Sequence, residues 1–212
     1  MNTKYEFVKG DEIVIAPGRT LKRIRAMVSI SYFASAGSLG GYIESESCLE
    51  VVGAAWISGN AWISGNAQIY GDAWISGNAW ISGDAQIYGN ARISGDAQIY
   101  GDAWISGDAR ISGDAQIYGD AWISGNAWIS GNARISKEGL IFWASKVGRD
   151  NGTITVYNTK DNTLEVTRGC FRGSVDEFLS ASEENHDDQT HLEYRLLIDV
   201  AYSRITRARG AV

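Results

Sequence analysis

Two histidines, His186 and His191, stand five residues apart around Asp187 and Asp188, with Glu193 and Tyr194 just behind. Imidazole and carboxylate at this spacing can act as an acid–base pair or as metal ligands. The same residue types at the entrance to a helix also cap and solvate it, which requires no metal, and neither a metal nor a cofactor is expected. Cys48 and Cys170 are too few for a disulfide framework and lack CxxC spacing. Cys170, in a Gly-Cys-Phe stretch, is expected as buried filler rather than as a nucleophile. Asp84, Asp102 and Asp120 recur at a constant interval. A column of carboxylates about 4.8 Å apart can hold a hard cation such as Ca2+. Asn and Asp alternate at this position elsewhere, so turn geometry is expected to select both.

These residues must be positioned by an unusual scaffold. Residues 55–136 run through fourteen copies of Ala-x-Ile-(Ser/Tyr)-Gly-(Asn/Asp) without an insertion, the last ending at Ser136 before its Gly-(Asn/Asp) corner. Ala and Ile alternate with larger or polar residues, a strand period of two, and Gly-Asn or Gly-Asp then turns the chain. A helix is excluded, because glycine at every sixth position costs about 1 kcal/mol each relative to alanine. A unit this short cannot bury its apolar side alone and must stack on its neighbours. Ile57 followed by Ala61, repeated through Ile129 and Ala133, resembles the left-handed parallel β-helix of hexapeptide-repeat proteins, three hexads per coil. Fourteen hexads make about 4.7 coils, roughly 22 Å long at about 4.8 Å per coil.

Stacking every third hexad gives three outward rows. The first holds Trp56, Trp74, Arg92, Arg110 and Trp128; the second Trp62, Trp80, Gln98, Gln116 and Arg134; the third Gln68, Gln86, Trp104 and Trp122. Serine follows each Trp or Arg, and tyrosine (Tyr70, Tyr88, Tyr100, Tyr118) follows each Gln, so each face stays flat. A contiguous aromatic patch of several hundred Å2 marks an interface. The Trp rows are therefore expected to pack on other copies of the chain, most simply as a homotrimer. They can also form a stacking platform for sugars or bases, aided by Arg92, Arg110 and Arg134. Flat rows of small hydroxyls would suit ice, and Trp spoils them.

Composition narrows the classes. The 212 residues carry a net charge of −6 and a pI near 5.0, which argues against general nucleic-acid binding. The charged start lacks the apolar core of a signal peptide, and no apolar run approaches the ~20 residues of a membrane span. A cytoplasmic protein is expected.

Three segments follow: a lead-in and cap at 1–50, the repeat solenoid at 51–137 and a ββαα module at 138–212. Residues 5–8 and 21–28 read as strands, and 51–54 keep the register of the repeat, so the prism is expected to begin one hexad early. Residues 153–158 and 163–167 flank a turn as a hairpin. Ser174 and Glu177 have the spacing of a capping box, as do Thr190 and Glu193, the second opening a helix with Leu192, Leu196, Val200 and Ile205 along one side.

The flanks carry a closer resemblance. LGGYIESE at 39–46 and RIR at 23–25 before the coils, then GCFRG at 169–173, Asp176, Glu177, Phe178, His186, His191, Glu193 and Tyr194 after them, resemble the YdcK-like hexapeptide-repeat proteins of bacteria and their phages. The resemblance implies architecture and a phage or prophage origin. Many hexapeptide-repeat proteins are acyltransferases, which need a general base, commonly His, and a pocket made by a loop between coils. Residues 51–137 hold neither. The function expected is a non-catalytic oligomeric binding protein that sequesters a nucleotide signal of host defence. Arg23, Arg25, Arg149, Arg172, His186, His191 and Tyr194 form its candidate ligand set, with the arginines on phosphates. The alternatives are a hexapeptide-repeat acyltransferase and a structural or protein-interaction scaffold.

Overall fold

The computed structural model describes residues 2–210. Its centre is a parallel β-solenoid of about five coils with three short strands per coil. Trp56 pairs with Trp74, Trp62 with Trp80 and Gln68 with Gln86, a constant step of eighteen residues. All three expected rows occur in the expected order. Each hexad sends backbone N–H groups into the next coil: Trp56 N to Ala73 O (2.9 Å), Ser58 N to Ile75 O (2.8 Å) and Asn60 N to Gly77 O (2.9 Å). The repeat alanines and isoleucines fill the interior and are no more than 1 % exposed. Burying one such isoleucine stabilises by about 2 kcal/mol, so every coil carries its own share of the core.

The corner glycine has two reasons to be glycine. Gly95 has φ +72°, the left-handed region that L side chains avoid. A Cβ there would also meet Gly113 N at 2.8 Å and Gly113 O at 2.9 Å, because successive corners stack backbone on backbone.

Strands β1 (Tyr5–Ala16) and β2 (Arg19–Ala26) form an antiparallel hairpin, and β2 pairs with β3 (Leu39–Ile43). β3 runs parallel to Trp62–Ile63, with Ile43 beside Ile63, and Leu49 bridges to Ile69. The solenoid therefore starts two hexads before Ala55, earlier than residues 51–54 alone indicate. The step in this first coil is twenty residues until the exposed pair Val51 and Val52 takes up the difference at a widened corner. Gly53 then returns to the stack beneath Gly71. The hairpin covers the open end of one sheet, where unpaired strands would invite aggregation.

At the far end, side chains of the C-terminal sheet complete the ladder. Trp128 N donates to Thr155 Oγ1 (3.0 Å), and Thr167 Oγ1 donates to Trp128 O (2.5 Å). The buried Tyr157 hydroxyl donates to Ser130 O (3.2 Å). This sheet has four antiparallel strands, Ile141–Val147, Gly152–Asn158, Leu164–Arg168 and Phe171–Ser174, two more than the hairpin expected. The added strands extend each side of that hairpin, where the sequence has no alternation strong enough to mark them.

Helix α1 (Val175–Asn185) opens with the expected capping box of Ser174 and Glu177. Helix α2 (Asp188–Gly210) starts earlier than the Thr190 box would place it, because Asp187 Oδ1 accepts Thr190 N at 2.8 Å. A carboxylate cap reaches the helix first, and Glu193 instead accepts Gly148 N (2.9 Å). The buried stripe of α2 is Thr190, Tyr194, Ile198, Ala201 and Ile205. Leu192, Leu196 and Val200, expected on the inner side, are exposed, and only Ile205 of that set is buried.

Candidate functional site

The outward rows form stacked ladders. On the third face Tyr70 lies on Tyr88 (centroids 5.2 Å, planes 5° apart), Tyr88 meets Trp104 at 5.7 Å, and Trp104 lies on Trp122 (5.5 Å, 12°). Trp104 and Trp122 are 42 % and 47 % exposed, so a ladder of rings meets solvent. On the second face Trp62 meets Trp80 edge-on at 6.5 Å, Tyr100 stacks on Tyr118 at 5.1 Å, and Arg134 Nε donates to Tyr118 Oη at 2.9 Å. β1 bends over this face, and Ile13, Val14, Ile15, Trp62 and Trp80 line an open cavity of about 860 Å3 with the Arg19–Glu44 ion pair (2.7 Å) at its edge. Hydrogen bonds from Arg19 and Gly65 N hold the Glu44 carboxyl down at about 2.

The first face differs. Trp56 is 1 % exposed, covered by the cap, and offers no surface to a second copy. The loop at 29–37 folds down over the next coil: Phe33 stacks on Trp74 at 5.3 Å, and Arg92 Nη2 donates to Tyr32 Oη at 3.0 Å. Arg92 and Arg110 are directly paired neighbours on adjacent strands, both exposed. Among the described residues no carboxylate lies within ion-pair distance of either. On one side the pair borders a cavity of about 310 Å3 with Trp74 and Trp128 at its ends and Ser76, Ser94 and Ser112 along its floor. On the other side, under Tyr32, lies one of about 500 Å3 that also meets the corner residues Asp72 and Asp108. Tyr32 and Phe33 are the contributors that sequence reasoning missed. Their only signal is two aromatics in a loop that periodicity does not reach.

The expected ligand set does not assemble. Arg23 and Arg25 sit in the N-terminal cap, and Arg149, Arg172, His186, His191 and Tyr194 lie in the C-terminal region, with the solenoid between them. Arg23 lies over the Tyr42 ring and donates to Tyr42 Oη (3.0 Å) and Gly59 O (3.3 Å), bracing the cap. Arg25 pairs with Glu6 at 3.3 Å and Arg172 with Glu165 at 2.5 Å. Arg149 is exposed on a turn. Tyr194 is fully buried, its hydroxyl accepting Arg168 Nε at 3.0 Å, so it belongs to the core. His186 packs edge-on against that ring at 5.5 Å, and His191 Nδ1 lies 3.3 Å from Ser182 Oγ. Both histidines border a shallow cavity of about 190 Å3. Cys170, expected buried, is exposed in a turn; Cys48 is buried.

The corner aspartates behave as turn residues. Asn66, Asn78 and Asn90 donate their side-chain amides to Asp84, Asp96 and Asp108 at 2.8–2.9 Å. Among the described residues no three His, Cys, Asp or Glu side chains converge to hold a metal. No helix among them is long and apolar enough to cross a membrane.

Five segments, 67–83, 85–101, 97–113, 103–119 and 115–131, match the family model of the YdcK beta solenoid repeat. No curated protein matches the chain. The matched segments lie within the stacked coils and stop short of both caps, so what the chain shares with that family is the solenoid repeat across residues 67–131.

Proposed function

We propose that the chain is an oligomeric binding protein without catalytic chemistry, its solenoid a left-handed, hexapeptide-built scaffold. The observation that carries this reading is the solvent-facing ladder Tyr70–Tyr88–Trp104–Trp122. Aromatic rows in register bury well against flat partners, and a threefold assembly of prisms would cover one row per copy. The histidine placement favours binding over acyl transfer, since one imidazole packs on Tyr194 and the other meets Ser182, away from the solenoid faces.

The ligand that best suits the outward Arg, Trp and Tyr chemistry is a nucleotide. A nucleotide signal of host defence, held and not turned over, would be sequestered in the bacterial cytoplasm, in line with the phage-borne proteins that the flanking motifs resemble.

Native mass spectrometry of protein purified from cells tests the reading, with a homotrimer carrying a nucleotide expected. A ligand at a hundred times its Kd should add about 2.7 kcal/mol of stability in thermal melts. A monomer would refute the assembly. A bare oligomer whose melting no nucleotide raises would leave a protein-interaction scaffold. Acyl-CoA turnover lost in His186→Ala or His191→Ala would establish the enzyme instead.

A further inference from the structure

The Arg92–Arg110 pair is the least explained feature of the surface. Two guanidinium groups on adjacent parallel strands repel each other, and a strand pair favours opposite charges at such positions. Arg19, Arg25 and Arg172 each have a carboxylate partner, whereas this pair has none among the described residues. Arg92 is nonetheless held in place by the Tyr32 hydroxyl, whose loop is pinned by Phe33 on Trp74. Beside the two guanidiniums, the 310 Å3 cavity is lined by the serines 76, 94 and 112 and by Trp74 and Trp128, with no acidic residue. Asp72 and Asp108 border only the cavity on the other side. One side of the pair thus presents positive charge and hydroxyl donors next to aromatic rings.

We propose that Arg92 and Arg110 bind the phosphate of a small nucleotide in this cavity, with Ser94 and Ser112 beside the phosphate and the base laid on Trp128. The anion relieves the repulsion between the guanidiniums, which suit phosphate oxygens through forked N–H donors. Phe33 already occupies Trp74, which leaves Trp128 for the base. A volume of about 310 Å3 is at the small end for ligand sites and admits one nucleotide unit. The inference rests on the binding reading above and assigns it a site on the first face, apart from the Tyr70–Trp122 ladder.

Calorimetric titration of the full chain with AMP, adenosine, inorganic phosphate and a fifteen-residue oligothymidylate tests it. AMP should bind more tightly than adenosine or phosphate. Arg92→Gln and Arg110→Gln, both at exposed positions, should each weaken AMP roughly tenfold or more, the loss expected for a hydrogen bond to a charged group. Arg204→Gln, exposed on helix α2, should bind as the parent does. Equal AMP affinity in all four proteins would overturn this site while leaving a nucleotide-binding oligomer intact. No AMP binding by the parent would overturn the site whatever the oligomeric state. Tighter binding of the oligothymidylate than of AMP, through the same arginines, would replace the small nucleotide with a single strand and overturn the ligand class.

Discussion

The Phe33 ring lies over the Trp74 indole, centroids 5.3 Å apart and planes 27° from parallel, and ties a loop of the N-terminal cap to the second coil of the solenoid. Such an aromatic pair is worth about 0.5–1.5 kcal/mol beyond its buried area. Phe33→Ala should therefore free the loop without unfolding the coils. Hydrogen exchange at Ile30 and Ala34, whose N–H groups bond to Ala34 O and Ile30 O, should accelerate while the Ile75 and Ile93 amides keep their protection. Unchanged exchange in the loop would show that something other than Phe33 holds it.

The stacked corners predict that two glycines with the same φ sign respond differently to alanine. Gly95→Ala meets backbone strain of about 1–2 kcal/mol and a clash worth about 1–3 kcal/mol more. Gly10 has φ +81° in β1, and a Cβ there would meet nothing within 4 Å. Gly10→Ala should lose only the strain. Urea melts of the two variants, taken side by side, should separate by at least about 1 kcal/mol; matching midpoints would count against the stacking.

Lys4 and Tyr5 give the cap a pH profile. Burial pulls the Lys4 ammonium down to about 8, despite Glu50 and Asp72 nearby, and pushes the Tyr5 phenol up to about 12. Between about 8 and 10.5 folded Lys4 has lost the proton that the unfolded chain retains, so stability rises with pH. Between 10 and about 12 folded Tyr5 retains the proton that the unfolded chain has lost, so stability falls. Melting of the parent minus that of Lys4→Met should climb from pH 8 to 10; a flat difference contradicts a buried ammonium. On the acid side Glu44 contributes above 4.5, and its contribution is lost as pH falls towards about 2. Glu44→Gln should reduce the acid slope.

Helix α2 offers two neighbouring apolar positions of opposite consequence. Leu196 is 56 % exposed and Ile198 3 %. Leu196→Ser should change stability by no more than about 0.5 kcal/mol, whereas Ile198→Ala should lose about 2–5 kcal/mol. Chemical denaturation decides between the faces: a large loss at Leu196 in the isolated chain would reverse the assignment.

That helix also shows where sequence reading stops. Leu192, Leu196, Val200 and Ile205 make a credible stripe, but Tyr194, Ile198, Ala201 and Ile205 make another on the same helix, and spacing cannot rank them. The sheet beneath does, by supplying Arg168 for the Tyr194 hydroxyl. Trp56 presents the same problem in the solenoid. Its hexad is identical to that of Trp62, yet the cap buries one and leaves the other half-open. Identical phrases carry no information about what lies above them.

The sequence alone determined the coil. Alternation, the sixth-position glycine and the absence of insertions call for stacked strands, and the resemblance to hexapeptide-repeat proteins implies three hexads per coil, so the three outward rows could be written down residue by residue. Those contacts recur at one fixed step of eighteen residues, three hexads, and a strict repeat carries a fixed step. Tertiary structure decided which rows stay open, where the coils end and what stands beside the arginines. Tyr32 reaches Arg92 across sixty residues of chain, and Thr155 and Thr167 close the last coil from a separate sheet. Contacts of that range arise from packing between elements of different period, and no repeat of six carries them.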